Sequence, residues 1–453
     1  MDVETYTNAS KTPSLRVKAA HSLLILVALV IGVFLALLIR YAQNIPATDD
    51  FGATLNFLHT YLYESTTTHE RFKLFFTQHN EHRIAVSRLL ALSIFLYTGK
   101  LNLANFLFVD ALFLGGLLWL IFSIYKKSSL HKSRFVYLLP TVLLLSPCSY
   151  ETFLFISGGS QAYPALFFLV LSLFLLNKIG SHSTSARELN SFALATLSAA
   201  LATYSFGSGI VVWIGGLALL FYKKEKTFLV IWLIVSILAV AYYFYDYVKP
   251  IDATQLTLTA PFGKQLPYLL KGIILFPGSA FMIGWPNFTC IKIQVVLCYC
   301  IGGASWAYIL YLFIIGYGYK NPLLFSLVLS ASAIGLLLVL SRAGGGSGFL
   351  FISRYYVFTS LLPICLLAIF LDRQTKLLIY LPQINVLFLG LFFTHLWLNI
   401  PIMEAIYKKR REGFIAWQRY NTPTLYIEPK LQLESGQIVK KSVEKHIFYP
   451  DVD

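Results

Sequence analysis

An all-α polytopic membrane protein is the fold class predicted for this chain, and three observations predict it. Of its 453 residues, 57% are hydrophobic and 16% aromatic. Only 13% are charged, against roughly 25% in a soluble domain. The mean hydropathy is +0.68, and the apolar residues gather in about eleven runs close to the ~20 residues that a bilayer-crossing helix needs. Little length is left for a soluble domain. The net charge of +15 is read within that class. Lys and Arg mark loops kept in the cytoplasm and meet anionic headgroups of the lipid bilayer, so no nucleic-acid partner is implied. The cysteines (Cys148, Cys290, Cys298, Cys300, Cys365) form no Cys-x-x-Cys pair, and neither a disulfide framework nor a metal site is inferred. The first apolar run is too long for a cleavable signal and lacks a small-residue cleavage motif.

The elements follow in order. Residues 1–19 are polar and basic (Lys11, Arg16, Lys18) and are expected in the cytoplasm. The transmembrane domain is expected over 20–400, opening with a span at 20–41. Loop 42–84 then faces outward, with Phe51, Leu55, Leu58, Tyr61 and Tyr63 at a spacing that predicts interfacial amphipathic helices. Residues 84–99 extend that layer. The second span, 102–125, ends at Lys126 and Lys127, and Lys132 and Arg134 continue an inward loop. The third span, 135–149, leads to an outward turn holding Glu151 and Gly158-Gly159-Ser160-Gln161. The fourth (162–177) and fifth (190–205) flank an inward loop with Lys178 and Arg187. Phe206-Gly207-Ser208-Gly209 turns tightly into the sixth (209–222), and Lys223, Lys224 and Lys226 precede the seventh (227–246). Outward loop 247–290 holds Pro250, Pro261, Pro267, Pro277 and Pro286, a spacing that suits short broken helices. Spans at 291–317, 322–340, 355–371 and 377–398 complete eleven. The tail, 401–453, is then outside, although Lys408-Lys409-Arg410-Arg411 directly after the last span would favour the cytoplasm.

The chemistry-bearing residues cluster in the outward segments. Asp49 and Asp50 form an acidic pair just after the first span. A carboxylate there can take a proton from an attacking hydroxyl, while its neighbour orients the nucleophile or a metal. Thr48-Asp49 before an apolar run also fits a helix N-cap. Gln78-His79-Asn80-Glu81-His82-Arg83 is the second cluster. His79 and His82, at i and i+3, could share a helical face, but this is not the zincin spacing. His79, Glu81 and His82 suit hydrogen bonds to a sugar, and Arg83 a charge-assisted grip on phosphate. Arg354 with Tyr355 is the third, since an ionisable side chain at membrane depth is a functional candidate by default. Arg342 and the Gly344–Gly348 turn lie near the same end, and Glu151 and Gln161 are weaker candidates. Asp110 and His395, inside spans, are read as structural. Asn8 and Asn287 match the glycosylation pattern.

With these residues in place, the layout of first helix, acidic pair and interfacial helices resembles the GT-C class of polytopic glycosyltransferases. Gln78–Arg83 and Ser353-Arg354-Tyr355 are similar to segments of bacterial members, and O-antigen-modifying glucosyltransferases have a comparable size and topology. The resemblance implies a GT-C-like helical bundle, a polyprenyl-phosphate-linked sugar donor and a glycan or glycolipid acceptor such as lipopolysaccharide. It implies Asp49 as base with Asp50 second, and Arg83 and Arg354 on the donor phosphate; Tyr355 and Arg342, beside Arg354, are placed with them as donor-binding candidates. It also implies a site on the periplasmic face of a bacterial inner membrane. Class members differ in metal use, so no cofactor is fixed and a divalent cation stays open. A transporter or flippase of lipid-linked sugars and a glycan polymerase or ligase are the alternative readings. The first expects polar residues through mid-membrane, and the second an Arg-rich outward loop, which 247–290 is not.

Overall fold

The computed structural model describes residues 13–128, 130, 134–180, 185–249, 262–283, 291–342 and 347–450. Pro250, Pro261, Pro286, Lys132, Cys290, Gly344–Gly346 and the glycosylation patterns at Asn8 and Asn287 lie outside them. The described chain is almost entirely helical. After α1 (Pro13–Tyr41) come a helical segment at 51–64, α2 (Thr68–Phe76), the antiparallel strands β1 (Gln78–His79) and β2 (His82–Arg83), and α3 (Ala85–Thr98). α4 (Leu103–Lys126), α5 (Leu138–Leu144), α6 (Tyr150–Leu154), α7 (Ile156–Leu176), α8 (Ala186–Thr203), α9 (Val212–Tyr222) and α10 (Lys226–Phe244) follow. The rest is α11 (Phe262–Leu275), α12 (Ile291–Ile314), α13 (Pro322–Arg342), α14 (Tyr356–Arg373), α15 (Leu381–Tyr420) and α16 (Gln432–Glu444).

Among the described residues, eight helices are long and apolar enough to cross a membrane: α1, α4, α7, α10, α12, α13, and α14 and α15 with the turns that precede them. The other expected spans are shorter or more polar. The third, 135–149, breaks where Ser146 precedes Pro147, a residue that cannot continue the helix, and the chain resumes as α6. α9 has 11 residues, about 16 Å of helix against a hydrocarbon core of ~30 Å. α8 opens on Arg187 and Glu188, with Glu188 completing a capping box on Ser185. The fourth span starts earlier than expected, and Gly158–Gln161 forms the first turns of α7 instead of an outward turn. The glycines serve close packing there. A Cβ on Gly159 would stand 2.6 Å from the Thr152 carbonyl oxygen and 2.3 Å from Asp110 Oδ2.

α7 and α14 are buried along most of their length and form the middle of the bundle. α1, α10 and α12 keep apolar faces exposed, among them Ile25, Ile39, Ile237, Leu238, Leu297 and Phe313. Such faces suit a hydrocarbon surround, where each helix satisfies its own backbone.

The chain departs most from expectation at its C-terminal end. α15 does not stop near residue 398 but runs for 40 residues, about 60 Å, through the basic run to Tyr420. That run is engaged in packing. Arg410 is buried and donates to the carbonyls of Leu154, at 2.7 Å, and Ile45. Lys409 lies over the Tyr426 ring and Lys408 beside Glu404. The tail then packs on the segment after α1. Thr48 N–H donates to Tyr426 O at 2.8 Å, Leu101 N–H to Ile447 O at 2.7 Å and Asn44 Nδ2 to Tyr449 O at 2.6 Å. α16 covers the π-helical turn Phe51–Asn56. Phe51 and Leu55 of that turn are buried, while Phe57 packs on Tyr61, Phe75 and Arg88. The helices expected in loop 42–84 exist, but their first part is an internal layer, while α2 keeps Phe72 exposed.

A polar cavity joined to an apolar groove

Two residues with unusual backbone set the site. Thr48 (φ 49°) turns the chain after α1, and Asn80 (φ 48°) forms the tip of the β1–β2 hairpin. Asparagine tolerates that left-handed conformation better than most side chains. The register pairs Gln78 with Arg83 and His79 with His82. The two histidines thus meet across a two-residue turn, not on the helical face expected from their spacing. Asn80 Nδ2 donates to Asp49 Oδ1 at 3.1 Å, which ties the hairpin tip to the first acid. Asp49 stands at the helix start, its carbonyl accepting from Ala53 N–H at 2.8 Å, while Asp50 already has helical backbone.

Asp49, His79, Glu81, His82, Glu151, Gln161, Arg342, Arg354 and Tyr355 line one open cavity of about 710 Å³. The acid from the front of the chain and the arginines from its second half therefore share a wall. Arg342 Nη2 lies 2.6 Å from Glu81 Oε1, and Arg354 Nε donates to Glu151 Oε2 at 3.1 Å. Ser353 Oγ accepts from the Glu151 N–H at 2.9 Å and holds the second pair in place. The Asp49 side chain keeps 44% of its surface exposed, and His79 Nε2 stands 3.9 Å from its Oδ1.

Burial pushes the His82 imidazole down to about 4 against the pull of Glu81, and burial lowers His79 as well against the pull of Asp49. Both rings are neutral at pH 7. His82 Nδ1 and His79 Nε2 have no hydrogen-bond partner within the protein. Neutral rings with unused nitrogens can bind hydroxyl groups as donor or acceptor. His82 packs on Phe206, with ring centroids 4.0 Å apart, and a Cβ on Gly207 would lie 2.7 Å from His82 Nδ1. Phe206 and Gly207, read from sequence only as a turn, are thus part of the site. Phe155, Ser157 and Phe358 also line it and carried no sequence signal beyond apolar or small character.

Two expected site residues are elsewhere. Asp50 is fully buried. Its Oδ2 accepts from Ala47 N–H at 3.0 Å and its Oδ1 from Ser157 N–H at 2.8 Å. Burial lifts its carboxyl to about 6, opposed by the Arg410 charge and these N–H groups. Asp50 therefore fastens the turn bearing Asp49 to the start of α7 and does not face the cavity. Arg83, expected to grip phosphate, is also buried. Its guanidinium donates to the carbonyls of Tyr243, at 2.6 Å, Phe76 and Tyr245. It clamps the hairpin to the end of α10.

A second cavity of about 1060 Å³ opens beside the first. It shares Glu81, His82, Phe206, Arg342 and Tyr355 with the polar cavity, and continues along Ile210, Phe244, Leu337, Leu338 and Leu340. A polar hollow with paired arginines thus passes into an apolar groove between α10 and α13. Among the described residues, no three His, Cys, Asp or Glu side chains stand grouped to hold a metal ion. The arrangement can place a base against a hydroxyl, hold an anion on guanidinium and lay a hydrocarbon chain along the bundle. The chain matches no protein-family model, and no curated protein and no solved structure is significantly similar to it.

Proposed function

We propose that the chain is a GT-C-type membrane glycosyltransferase of the bacterial inner membrane. It moves a sugar from a polyprenyl-phosphate donor to a glycan or glycolipid acceptor on the periplasmic side. The supporting observation is the join between the two cavities. A substrate with an anionic, sugar-bearing head and a long hydrocarbon tail matches a polar hollow that opens into an apolar groove.

In this reading Arg342 and Arg354 stabilise the phosphate as the glycosidic bond breaks, because prepositioned charge favours the group on which negative charge develops. The acceptor hydroxyl oxygen bonds to the anomeric carbon. The bond from that carbon to the phosphate oxygen breaks, and polyprenyl phosphate leaves with the electron pair. Asp49 takes the hydroxyl proton. His79, His82, Glu151 and Gln161 bind sugar hydroxyls, and Asp50 positions Asp49 from behind.

The test uses membranes carrying the full chain and a radiolabelled polyprenyl-phosphate sugar, with glycan analysis of cells that have or lack the gene. Asp49→Asn lowers transfer by about 10²–10⁴-fold, the usual worth of a general base, with unchanged membrane insertion. Arg354→Ala raises the donor concentration needed for half-saturation. Full activity in Asp49→Asn removes that residue from the chemistry, and an unaltered glycan profile removes the transferase. One observation keeps transport of lipid-linked sugars as the second reading: Asp110, inside α4, is buried with neither carboxylate oxygen hydrogen-bonded. Transport would carry label across the membrane with no new glycosidic bond.

A further inference from the structure

Glu81 stands where the polar cavity meets the apolar groove and lines both, as Arg342 does. Its Oε1 is 2.6 Å from Arg342 Nη2, and the two side chains are only 16% and 18% exposed. A charge-assisted contact this short uses guanidinium donors that a phosphate oxygen would also use. The wall of the polar cavity carries three carboxylates, Asp49, Glu81 and Glu151, against two guanidiniums, Arg342 and Arg354, beside neutral histidines. The adjoining groove adds Lys249, which evens the charge, but an anion that reaches Arg342 must still displace the carboxylate already on that guanidinium. Glu81 is placed to give way. It sits in the two-residue turn of the hairpin, and its Oε2 is already 3.9 Å from His82 Nε2.

We infer that Glu81 is an internal stand-in for the anionic head of the amphiphile. This rests on the reading of the groove given under the proposed function. The carboxylate holds Arg342 in the protein alone. When an amphiphile lies in the groove, its anionic head takes the same donors and Glu81 swings toward His82. The exchange selects for head charge. A neutral alcohol cannot replace a carboxylate on guanidinium, whereas a phosphate restores the pair it breaks.

The experiment measures binding of a polyprenyl monophosphate, and of the polyprenol of equal chain length, to the full chain purified in detergent. Wild type, Glu81→Gln, Glu81→Asp and Arg342→Gln are compared, with thermal melting as the check on folding. Removing the competing charge tightens monophosphate binding by about tenfold in Glu81→Gln, a typical worth for one charge-assisted contact, and leaves polyprenol binding unchanged. Glu81→Asp, with a shorter reach to Arg342, falls between and serves if the glutamine variant does not fold. Monophosphate binding equal to or weaker than wild type in both Glu81 variants, with binding lost in Arg342→Gln, overturns the exchange and leaves the groove as the amphiphile site. If Arg342→Gln binds as wild type does, or wild type holds polyprenol as tightly as the monophosphate, the amphiphile reading itself fails.

Discussion

Asp49 and Asp50 are neighbours with opposite fates, and the difference decides what each can do. Asp49 looks into the cavity with its side chain half exposed, whereas Asp50 is enclosed by Ala47, Ser157 and Arg410. The acidic pair itself was legible in the sequence. Its division of labour was not, because the groups that bury Asp50 come from α7 and α15, more than a hundred residues away. The enclosure has a pH signature. With its folded value near 6 and an unfolded value of about 3.9, Asp50 favours folding when protonated. Its contribution is complete below about pH 4 and is lost as pH rises through 6, a difference of about 3 kcal/mol. His82, held down to about 4 against about 6.5 unfolded, works in the opposite sense. Its contribution is present above pH 6.5 and is lost as pH falls through 4. Comparing wild type with Asp50→Asn isolates the first effect. Melting of detergent-purified protein at pH 5 and pH 7 should show wild type gaining more on acidification than the variant. Equal pH responses would mean that Asp50 is not perturbed by its burial.

At the scale of elements, the hairpin of β1 and β2 organises the site. It presents His79, Asn80, Glu81 and His82 to the cavity and leaves Arg83 behind it. A helical period fits His79 and His82 as well as a cross-strand pair does. A strand of two residues is too short for alternation to reveal it. What settles the matter is Asn80 in the left-handed conformation, together with Arg83, whose carbonyl acceptors come from α2 and the end of α10. Arg83 is thus a clamp, and removing it should first cost stability. Arg83→Ala leaves three carbonyls without their buried donor, a loss of about 2–4 kcal/mol. The three carbonyls are met by three different guanidinium nitrogens, whereas lysine's donors share one nitrogen, so Arg83→Lys should recover little. The measurement is a melting curve with limited proteolysis across residues 76–84. Wild-type melting with failed binding of a phosphate-headed amphiphile would instead return Arg83 to the phosphate-gripping role expected from its sequence context.

Across the whole molecule, hydropathy was enough to read a helical membrane bundle, because each run had to satisfy its own backbone in an apolar medium. It failed where tertiary contact overrides local composition. The early start of α7 on packing glycines and the long continuation of α15 both depend on neighbours distant in sequence. The basic run Lys408–Arg411 shows this most plainly. Counted as loop charge it argues for the cytoplasm, yet Arg410 is bound to Ile45 and Leu154, and Lys409 to Tyr426. The tail that follows packs against residues 44–56, so the acidic-pair loop and the tail lie together at one end of the bundle. Cysteine labelling decides this. Cys300 is the exposed thiol among the described cysteines. With Cys290 and Cys300 replaced by serine, single cysteines are placed at Thr66, at Lys430 and at Lys126, all exposed positions. Lys126 lies at the far end of α4 from Leu103, whose N–H donates to Asn44 Oδ1. In intact cells a membrane-impermeant maleimide should label Thr66→Cys and Lys430→Cys, and Lys126→Cys only after permeabilisation. Thr66 and Lys430 labelling from opposite sides would break the packing of the tail on the loop. Both labelling from the inside would keep that packing and overturn the periplasmic placement of the site, because Asp49 and Thr66 share one loop.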